Sequence, residues 1–245
     1  MNGGGSKAQL VQASDGKKYI IKLIGNPQQT RILANEYLVG KLAELLDVPS
    51  PAVAIVDVDQ QFVSQLNAQT QSNFRSGPQF GSQYVGGDNV QVYPSTPDLM
   101  AKTNNVSKWP NAVVLDVLVQ NEDLKDVHVL ISIAGDKGSS EFWHVDHGHC
   151  LGVARGWGTL KSENAAVRNR LYFDLVAGAD PFADVFRRLK DVTASKVGEI
   201  LSQCPLGEWE VPQGDVVAIE NYFESAREST QKAISLAKAQ FRKWN

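Results

Sequence analysis

The residues of this chain that could do chemistry are concentrated in one segment, residues 121–150, with the sequence NEDLKDVHVLISIAGDKGSSEFWHVDHGHC. The segment contains all 4 histidines of the 245-residue sequence, and aspartates stand near both of its ends. One hypothesis is a transition-metal site, because imidazole and carboxylate together suit zinc, nickel or manganese. The candidate ligands of such a site are His144, Asp146, His147 and His149. The other hypothesis assigns the chemistry to the acidic residues.

The acidic residues suit phosphoryl transfer, which requires a carboxylate at the acceptor hydroxyl and oxygen ligands for a magnesium ion. Asp123 follows an apolar helical stretch, and Asp146 follows the strand-like sequence FWHV. Between them, VHVLISIAG and EFWHVDHG predict two strands joined by a turn at DKGSS. Since a hairpin returns the chain to its starting end, we expect both aspartates at the same end of the structure. Either aspartate alone is more often an ordinary loop residue.

A phosphate clamp is predicted near the N-terminus. The glycine-rich sequence NGGGS precedes a strand–turn–strand unit, and its backbone N–H groups could face a phosphate. Lys22 lies in the second strand, YIIKLI, and Glu36 lies in the helix that follows. Kinases assemble a clamp in this order, with the glutamate orienting the lysine onto the phosphates. The predicted nucleotide-binding residues are Gly3, Gly4, Gly5, Ser6 and Lys22.

The elements that must position these residues form two groups. In the first, the apolar patterns predict strands at AQLVQA, YIIKLI, VAIVDV and QFVSQL, and a helix at TRILANEYLVGKLAELLD with Thr30 as its N-cap. Residues 67–111 are rich in Asn, Gln, Ser and Gly and read as a connecting region, with a strand and a hinge at PQFGSQYVGG. This group predicts a small antiparallel sheet with one helix.

The second group is mainly helical. Helices are predicted at NAVVLDVLVQNED, ending near Gln120, and near 165–177, 181–190, 194–203 and 213–241, with the hairpin described above between them. The fold class predicted is therefore α+β. We expect a bilobal, protein-kinase-like fold with a β-rich N-terminal lobe and hinge at 1–87 and a mainly helical C-terminal lobe at 88–245.

The composition agrees with an ordinary globular protein: 42% of the residues are hydrophobic, 21% are charged, and the net charge is −3. This balance does not favour nucleic acid as a partner. The 2 cysteines are too few for a disulfide framework or a four-thiolate zinc site. No apolar run approaches the roughly 20 residues of a membrane span, and the N-terminus lacks a secretory signal. We therefore expect a cytoplasmic protein with no membrane partner.

The sequence resembles the HipA-like kinases, of the compact kind that contains only the kinase core. The resemblance covers nearly the whole chain and lies in the order and spacing of its motifs. The matching stretches are NGGGSKAQLV with DGKKYIIKL, LANEYLVGKLAELLDVPSPAVAIV, SGPQFGSQYVGG, VLDVLVQNEDLKDVHVLI and FWHVDHG. The resemblance implies an ATP-dependent kinase that uses magnesium and phosphorylates serine or threonine in a protein. It also implies a cognate antitoxin or regulator as a partner.

The resemblance also implies a role for each site residue. Asp123 becomes the catalytic aspartate and Asp146 the magnesium ligand, with Lys22 and Glu36 as the phosphate clamp. The family pattern at the catalytic loop is Asn-x-Asp-Arg, and Asn121 with Asp123 fits it. In some relatives the glycine loop is autophosphorylated, and Ser6 is the candidate for that modification here.

Two residues depart from the family pattern. Leu124 stands where the arginine is usual, and His128 stands where the second metal-ligand asparagine belongs. Because imidazole is a poorer ligand than oxygen for Mg²⁺, His128 predicts either a preference for Mn²⁺ or loss of the second metal. Since the first hairpin strand pairs back onto the second, we expect His128 beside Asp146. A nucleotide-binding pseudokinase acting as a regulator shares the clamp and stays open as an alternative, as does the metal-binding protein.

Overall fold

The computed structural model describes residues 5–135, 138–152 and 156–244. The predicted nucleotide-binding residues Gly3 and Gly4 lie outside the described residues. The strands are β1 Gln9–Gln12, β2 Lys18–Lys22, β3 Val53–Val58, β4 Gly77–Gln83, β5 Val90–Pro94, β6 Val129–Ala134, β7 Ser140–His144, β8 Ala177–Gly178 and β9 Lys243–Trp244. The α-helices are α1 Ile32–Leu45, α2 Gln60–Thr70, α3 Pro97–Met100, α4 Trp109–Leu118, α5 Ala183–Arg188, α6 Ala194–Leu201 and α7 Gln213–Leu236.

The first sheet is antiparallel throughout, with the strand order β1-β2-β4-β3. The hairpin between β1 and β2 turns at Asp15 and Gly16, as the sequence predicts, and Gly16 adopts a φ of 81°, which favours glycine. Lys22 ends β2, directly opposite Phe80 of β4. The predicted clamp lysine therefore projects from an inner strand of the sheet.

The prediction of a strand at QFVSQL is wrong, because this segment begins α2. Asp59 caps the helix by accepting a hydrogen bond from the backbone N–H of Phe62 at 2.7 Å. Val63 and Leu66, three residues apart, share the buried face. The prediction of a single helix beside the first sheet is wrong for the same reason. Together with α2, the sheet encloses a small hydrophobic cluster, formed by Tyr19, Ile21, Leu23, Val58, Val63, Leu66 and Phe74.

Helix α1 packs on both groups of elements, contacting β3, β4, α4 and α6. Its apolar side chains belong to the main hydrophobic core, which also contains α4 and α7, rather than to the small cluster under α2. Close contact with β3 requires Gly40, since a Cβ there would lie 2.4 Å from Val53 Cγ1. Thr30 is not the N-cap. Arg31 takes that position, and the Thr30 hydroxyl instead accepts the backbone N–H of Gly25 at 3.1 Å.

The second sheet has the strand order β5-β6-β7 and contains the predicted hairpin. Strands β6 and β7 pair antiparallel, with Val129 opposite His144. The start of β6 therefore lies beside the end of β7, as the sequence predicts. This register brings the loop before β6 next to the loop after β7.

The helical part follows the prediction except at 165–177. There the structure has a 3₁₀ turn at Phe173–Leu175 and the first residue of β8 in place of a helix. The preceding Tyr172 has a φ of 55°, which interrupts a helix, and the Leu171 carbonyl accepts the indole N–H of Trp109 at 3.1 Å. Helices α5, α6 and α7 lie within the three predicted segments that follow. Within the described residues, no helix combines the length and hydrophobicity that a membrane span requires.

Candidate active site

Three of the predicted site residues meet at the amine of Lys22. The amine forms ion pairs with the carboxylate of Glu36, from α1, and with Asp146 Oδ1 at 2.7 Å, from the loop after β7. Lys22 and Glu36 are buried, whereas the side chain of Asp146 is 41% exposed. The structure thus brings a strand, a helix and a loop, distant in sequence, to one charged centre.

The lysine of this centre attracts both carboxylates, whereas the charge of Asp146 raises the pKa of Glu36. Burial alone would lower the pKa of Lys22, but the carboxylates of Glu36 and Asp146 outweigh it and raise the pKa, so the amine is charged at neutral pH. Burial tends to raise the pKa of Asp146, but Lys22 lowers it to about 2. Burial raises the pKa of Glu36 against the opposing effect of Lys22. Glu36 therefore depends on the lysine for its negative charge.

The loop after β7 turns sharply at Asp146, which has a φ of 64°. Adjacent strand residues alternate faces, so His144 and His147 would point apart without such a turn. Instead their rings stack with 4.8 Å between the centroids. The turn also directs the backbone N–H of His147 to Glu36, which accepts it at 3.0 Å. The left-handed backbone of Asp146 is thereby held by contacts on its C-terminal side.

His128 lies beside Asp146, with 3.8 Å between Nε2 and the Asp146 carboxylate oxygen Oδ2. The backbone holds the pair together, because the N–H of Val145 donates to the carbonyl of His128 at 2.9 Å. Burial lowers the pKa of His128, although the charges of Asp146 and Asp123 oppose this effect. The ring is therefore neutral at pH 7, the form in which imidazole can bind a metal.

Asp123 is held in the loop after α4. Its backbone N–H donates to the Asn121 side chain at 3.0 Å, and Asn121 in turn donates to Asp116 at 2.7 Å. Lys125 forms an ion pair with the Asp123 carboxylate at 2.7 Å. Sequence reasoning did not identify this ion pair, although the position of Lys125 two residues after the aspartate could have indicated it. The charges of Asp123 and Asp146 both raise the pKa of His128 against the larger effect of burial.

A cleft of about 710 Å³ opens beside the lysine centre. Its polar end contains Lys22, Glu36 and Asp146, and the buried Ser6 lines it as well. Gly5 is exposed and does not take part in this lining. Both sheets contribute apolar lining residues that sequence reasoning did not identify, among them Ile20, Val53, Phe80, Val92 and Leu130. The cleft is thus lined by apolar side chains together with the charged residues of the lysine centre.

The donors at Asp146 and His128 fit a divalent cation. The Asp146 carboxylate is partly exposed and His128 Nε2 lies close by, so a cation between them could take one oxygen and one nitrogen ligand. Remaining positions would be available to phosphate oxygens and water. Leu124, the other departure from the family pattern, packs against the main hydrophobic core.

The alternative of a histidine-rich metal site receives no support from the geometry. His144 contacts Asp116 at 3.3 Å, and His149 lies 3.1 Å from the Gln28 amide. Among residues 5–135, 138–152 and 156–244, no group of three or more His, Cys, Asp or Glu side chains is arranged to hold a metal ion. The clustering of histidines in the sequence therefore does not become a cluster of ligands.

A family model described as HipA-like kinase matches residues 1–134, more than half of the chain. This chain belongs to the HipA-like kinase family. The matched region contains Lys22, Glu36, Asp123 and His128, whereas Asp146 lies beyond it. A search of curated protein sequences found no match.

Solved structures show the same fold as this HipA-like kinase. The Helicobacter pylori proinflammatory kinase CtkA is 11% identical with a TM-score of 0.57, and the match covers 95% of this chain and 98% of CtkA. The Golgi casein kinase is 12% identical with a TM-score of 0.55, covering 96% and 72%. The structure of hydra Fam20 with sugar is 10% identical with a TM-score of 0.50, and the match covers 94% of this chain and 82% of Fam20. The predicted α+β, bilobal, kinase-like fold is confirmed.

Family membership supports a kinase-like phosphotransferase for this chain. A kinase fold in general uses ATP and a divalent metal ion. The cleft is lined by residues of both sheets, by Glu36 of α1 and by the loop after β7. The roles of individual residues stay predictions.

Proposed function

We propose that this HipA-like kinase transfers the γ-phosphoryl group of ATP to a serine or threonine hydroxyl of a protein. The observation that carries the proposal is the buried amine of Lys22, paired with both Glu36 and Asp146 at the end of an apolar cleft. A lysine that is charged and fixed in this way is suited to hold polyphosphate, while the apolar side chains that line the cleft suit a base. The domain boundary at residues 87 and 88 is part of the same proposal, as is a cognate antitoxin or other protein regulator.

The nucleotide would lie with its base between the two sheets, against Val53, Phe80 and Leu130. Lys22 would contact the α- and β-phosphates, and Glu36 would keep the lysine charged and oriented. Asp146 and His128 would hold the divalent cation, which neutralises phosphate charge when bound. In this arrangement the partial exposure of Asp146 leaves a face of its carboxylate open to the cleft.

Asp123 would orient the acceptor hydroxyl. As the bond between the acceptor oxygen and the γ-phosphorus forms and the bond to the β-phosphate oxygen breaks, the hydroxyl proton passes to the Asp123 carboxylate and ADP leaves. The Asn121 side chain fixes the backbone of Asp123, and Lys125 neutralises its carboxylate before the substrate arrives. The proposed roles of the two aspartates are therefore separable.

A binding and transfer experiment tests these roles. Asp123→Asn should reduce phosphotransfer to protein by at least about 100-fold and leave the affinity for ATP with Mg²⁺ nearly unchanged, because general base groups typically contribute 10²–10⁴-fold. Asp146→Asn should weaken ATP binding in magnesium and change binding much less in EDTA. Calorimetry measures the affinities, and transfer of radiolabelled phosphate to proteins of a cell extract measures the reaction.

A test of the phosphate clamp requires a variant that still folds. Removing only Lys22 would leave Glu36 buried without a counter-charge, which is strongly destabilising. The double variant Lys22→Met with Glu36→Gln removes both charges and keeps the side-chain volumes. It should bind ATP at least about tenfold more weakly, whereas the control Lys18→Met, at an exposed lysine of the same strand, should bind normally. Normal binding by the double variant would contradict the clamp. Binding without transfer by the wild type would favour a pseudokinase.

A further inference from the structure

Asn35 is a fully buried residue of α1 that immediately precedes Glu36. Its side-chain amide N–H groups donate to the carbonyl of Gly148 at 3.1 Å and to the carbonyl of Cys150 at 2.7 Å. Both carbonyls belong to the loop that follows Asp146. The hydrogen bonds therefore join the helix that carries the clamp glutamate to the loop that carries the proposed metal ligand.

The orientation of the Asn35 amide follows from a third partner. The indole N–H of Trp157 donates to Asn35 Oδ1 at 2.7 Å. An indole nitrogen is a donor only, so the amide oxygen must face the tryptophan and the amide NH₂ group must face the two carbonyls. Every hydrogen-bonding atom of this buried amide thus has a partner with the correct polarity.

Asn35 acts beside Glu36, because both side chains bind the backbone of the same loop. Glu36 accepts the N–H of His147, while Asn35 binds the carbonyls of Gly148 and Cys150. The loop also lies tightly on the helix, since a Cβ at Gly148 would be 3.1 Å from the Glu36 carboxylate. Three backbone groups of residues 147–150 are therefore held by two consecutive residues of α1.

We propose that Asn35 is a positioning residue that holds Asp146 against the Lys22–Glu36 pair. The inference rests on the proposed function, in which Asp146 binds the metal and Lys22 binds the phosphates. Because Lys22 contacts both Glu36 and Asp146, displacement of the loop relative to α1 moves the metal ligand away from the phosphate-binding amine. Asn35 is fully buried and is not among the residues that line the cleft. It couples the metal site to the nucleotide clamp.

The variant Asn35→Ala tests the coupling. ATP affinity is measured by calorimetry at saturating Mg²⁺ and again in EDTA. The affinity in magnesium should fall roughly 10- to 100-fold, the usual effect of removing a group that orients a metal ligand. The affinity in EDTA should change by less than about threefold, because the lysine centre is retained. A second variant, Asn35→Ser, keeps one hydroxyl donor and should show an intermediate loss.

Asn111→Ala is the matched control. Asn111 is also buried, and its side-chain amide NH₂ group also donates to two backbone carbonyls, those of Leu46 and Asp47, at 3.0 Å each. These carbonyls lie at the other end of α1, away from the loop after Asp146. Asn111→Ala should therefore lower the melting temperature as much as Asn35→Ala does, without changing the ratio of the ATP affinities in magnesium and EDTA.

Amide hydrogen exchange without ATP separates this inference from the proposed function. Asn35→Ala should accelerate exchange at Cys150 and Leu151, whose N–H groups bond to His147 and Val119, by at least about fivefold relative to Asn111→Ala. If the wild type binds no ATP, the proposed function fails and the exchange result still decides the positioning role. Equal exchange in the two variants, or an unchanged magnesium dependence in Asn35→Ala, would overturn the role of Asn35.

Discussion

At the scale of single residues, the site depends on charges that cannot be considered separately. Lys22 and Glu36 are both buried, and each would be costly in the core without the other. Asp146 adds a second carboxylate to the same amine while keeping part of its surface exposed. The buried ion pairs fix the position of the lysine. The exposed part of the Asp146 carboxylate could bind a cation.

The residue that departs most from the family pattern, His128, can be tested directly. His128→Asn should place an amide oxygen beside Asp146, and oxygen suits Mg²⁺ better than imidazole does. Activity with magnesium should hold or rise, and the ratio of activity in manganese to that in magnesium should fall about threefold or more. Phosphotransfer assays at matched concentrations of the two metals measure this ratio.

His149→Asn is the control for that variant, because His149 contacts Gln28 rather than the proposed metal ligands. It should alter neither the activity nor the metal preference. Complete loss of magnesium-dependent activity in His128→Asn, with a normal melting temperature, would show that the imidazole itself is required and would reject the ligand exchange.

At the scale of elements, α1 packs on both the first sheet, which carries Lys22, and the helical core. Its apolar residues belong to the main core, and at its start Arg31 forms an ion pair with Asp215 of α7 at 2.5 Å. Asn35 and Glu36 bind the loop after β7 from the same helix. Helix and loop therefore present the clamp glutamate and the proposed metal ligand as one unit.

Gly148→Ala should disturb this unit. The added methyl group would lie 3.1 Å from the Glu36 carboxylate, closer than ordinary contact, and 3.4 Å from Ile32 Cβ. Overpacking of this kind typically costs 1–3 kcal/mol, and here it would push Glu36 or the loop away from Lys22. We expect a lower melting temperature and an ATP affinity reduced about tenfold in magnesium, measured by thermal unfolding and calorimetry.

Gly214→Ala provides the comparison for Gly148→Ala. A Cβ at Gly214, in the first turn of α7, would meet nothing within 4 Å. Because alanine favours a helix over glycine by roughly 1 kcal/mol, this variant should be as stable as the wild type or more stable. An unchanged ATP affinity in Gly148→Ala would indicate that the loop shifts without affecting the clamp.

At the scale of the whole molecule, the cleft is formed by elements from both sheets. The first sheet contributes Val53 and Phe80, and the second contributes Leu130, with the charged centre between them. A ligand bound there contacts both parts of the molecule. Binding should therefore stabilise the folded protein as a whole rather than one part of it.

ATP with Mg²⁺ should raise the melting temperature. At 100 times the dissociation constant, a ligand adds about 2.7 kcal/mol to the free energy of unfolding, which corresponds to roughly 5–10 °C for a chain of this size. Thermal unfolding followed by circular dichroism measures the shift. The Lys22→Met, Glu36→Gln double variant should show little shift at the same ATP concentration, and an equal shift in both proteins would place the nucleotide elsewhere.

The amino-acid sequence by itself determined much of this molecule. The spacing of Lys22, Glu36, Asp123 and Asp146 predicted the candidate site, and the hairpin pattern predicted that His128 would lie beside Asp146. Local periodicity also identified α1, β6, β7 and the later helices. These features depend on short-range patterns of apolar residues and on backbone pairing, which the order of residues specifies directly.

Only the tertiary structure decided the remaining features. QFVSQL alternates well enough for a strand, but the Asp59 cap and a shared buried face make it a helix. The stacking of His144 on His147 required the left-handed turn at Asp146, and the partners of Asn35 lie more than 100 residues away along the chain. Contacts between distant segments depend on how elements pack, and a buried amide in a helix looks the same in sequence whatever backbone it binds.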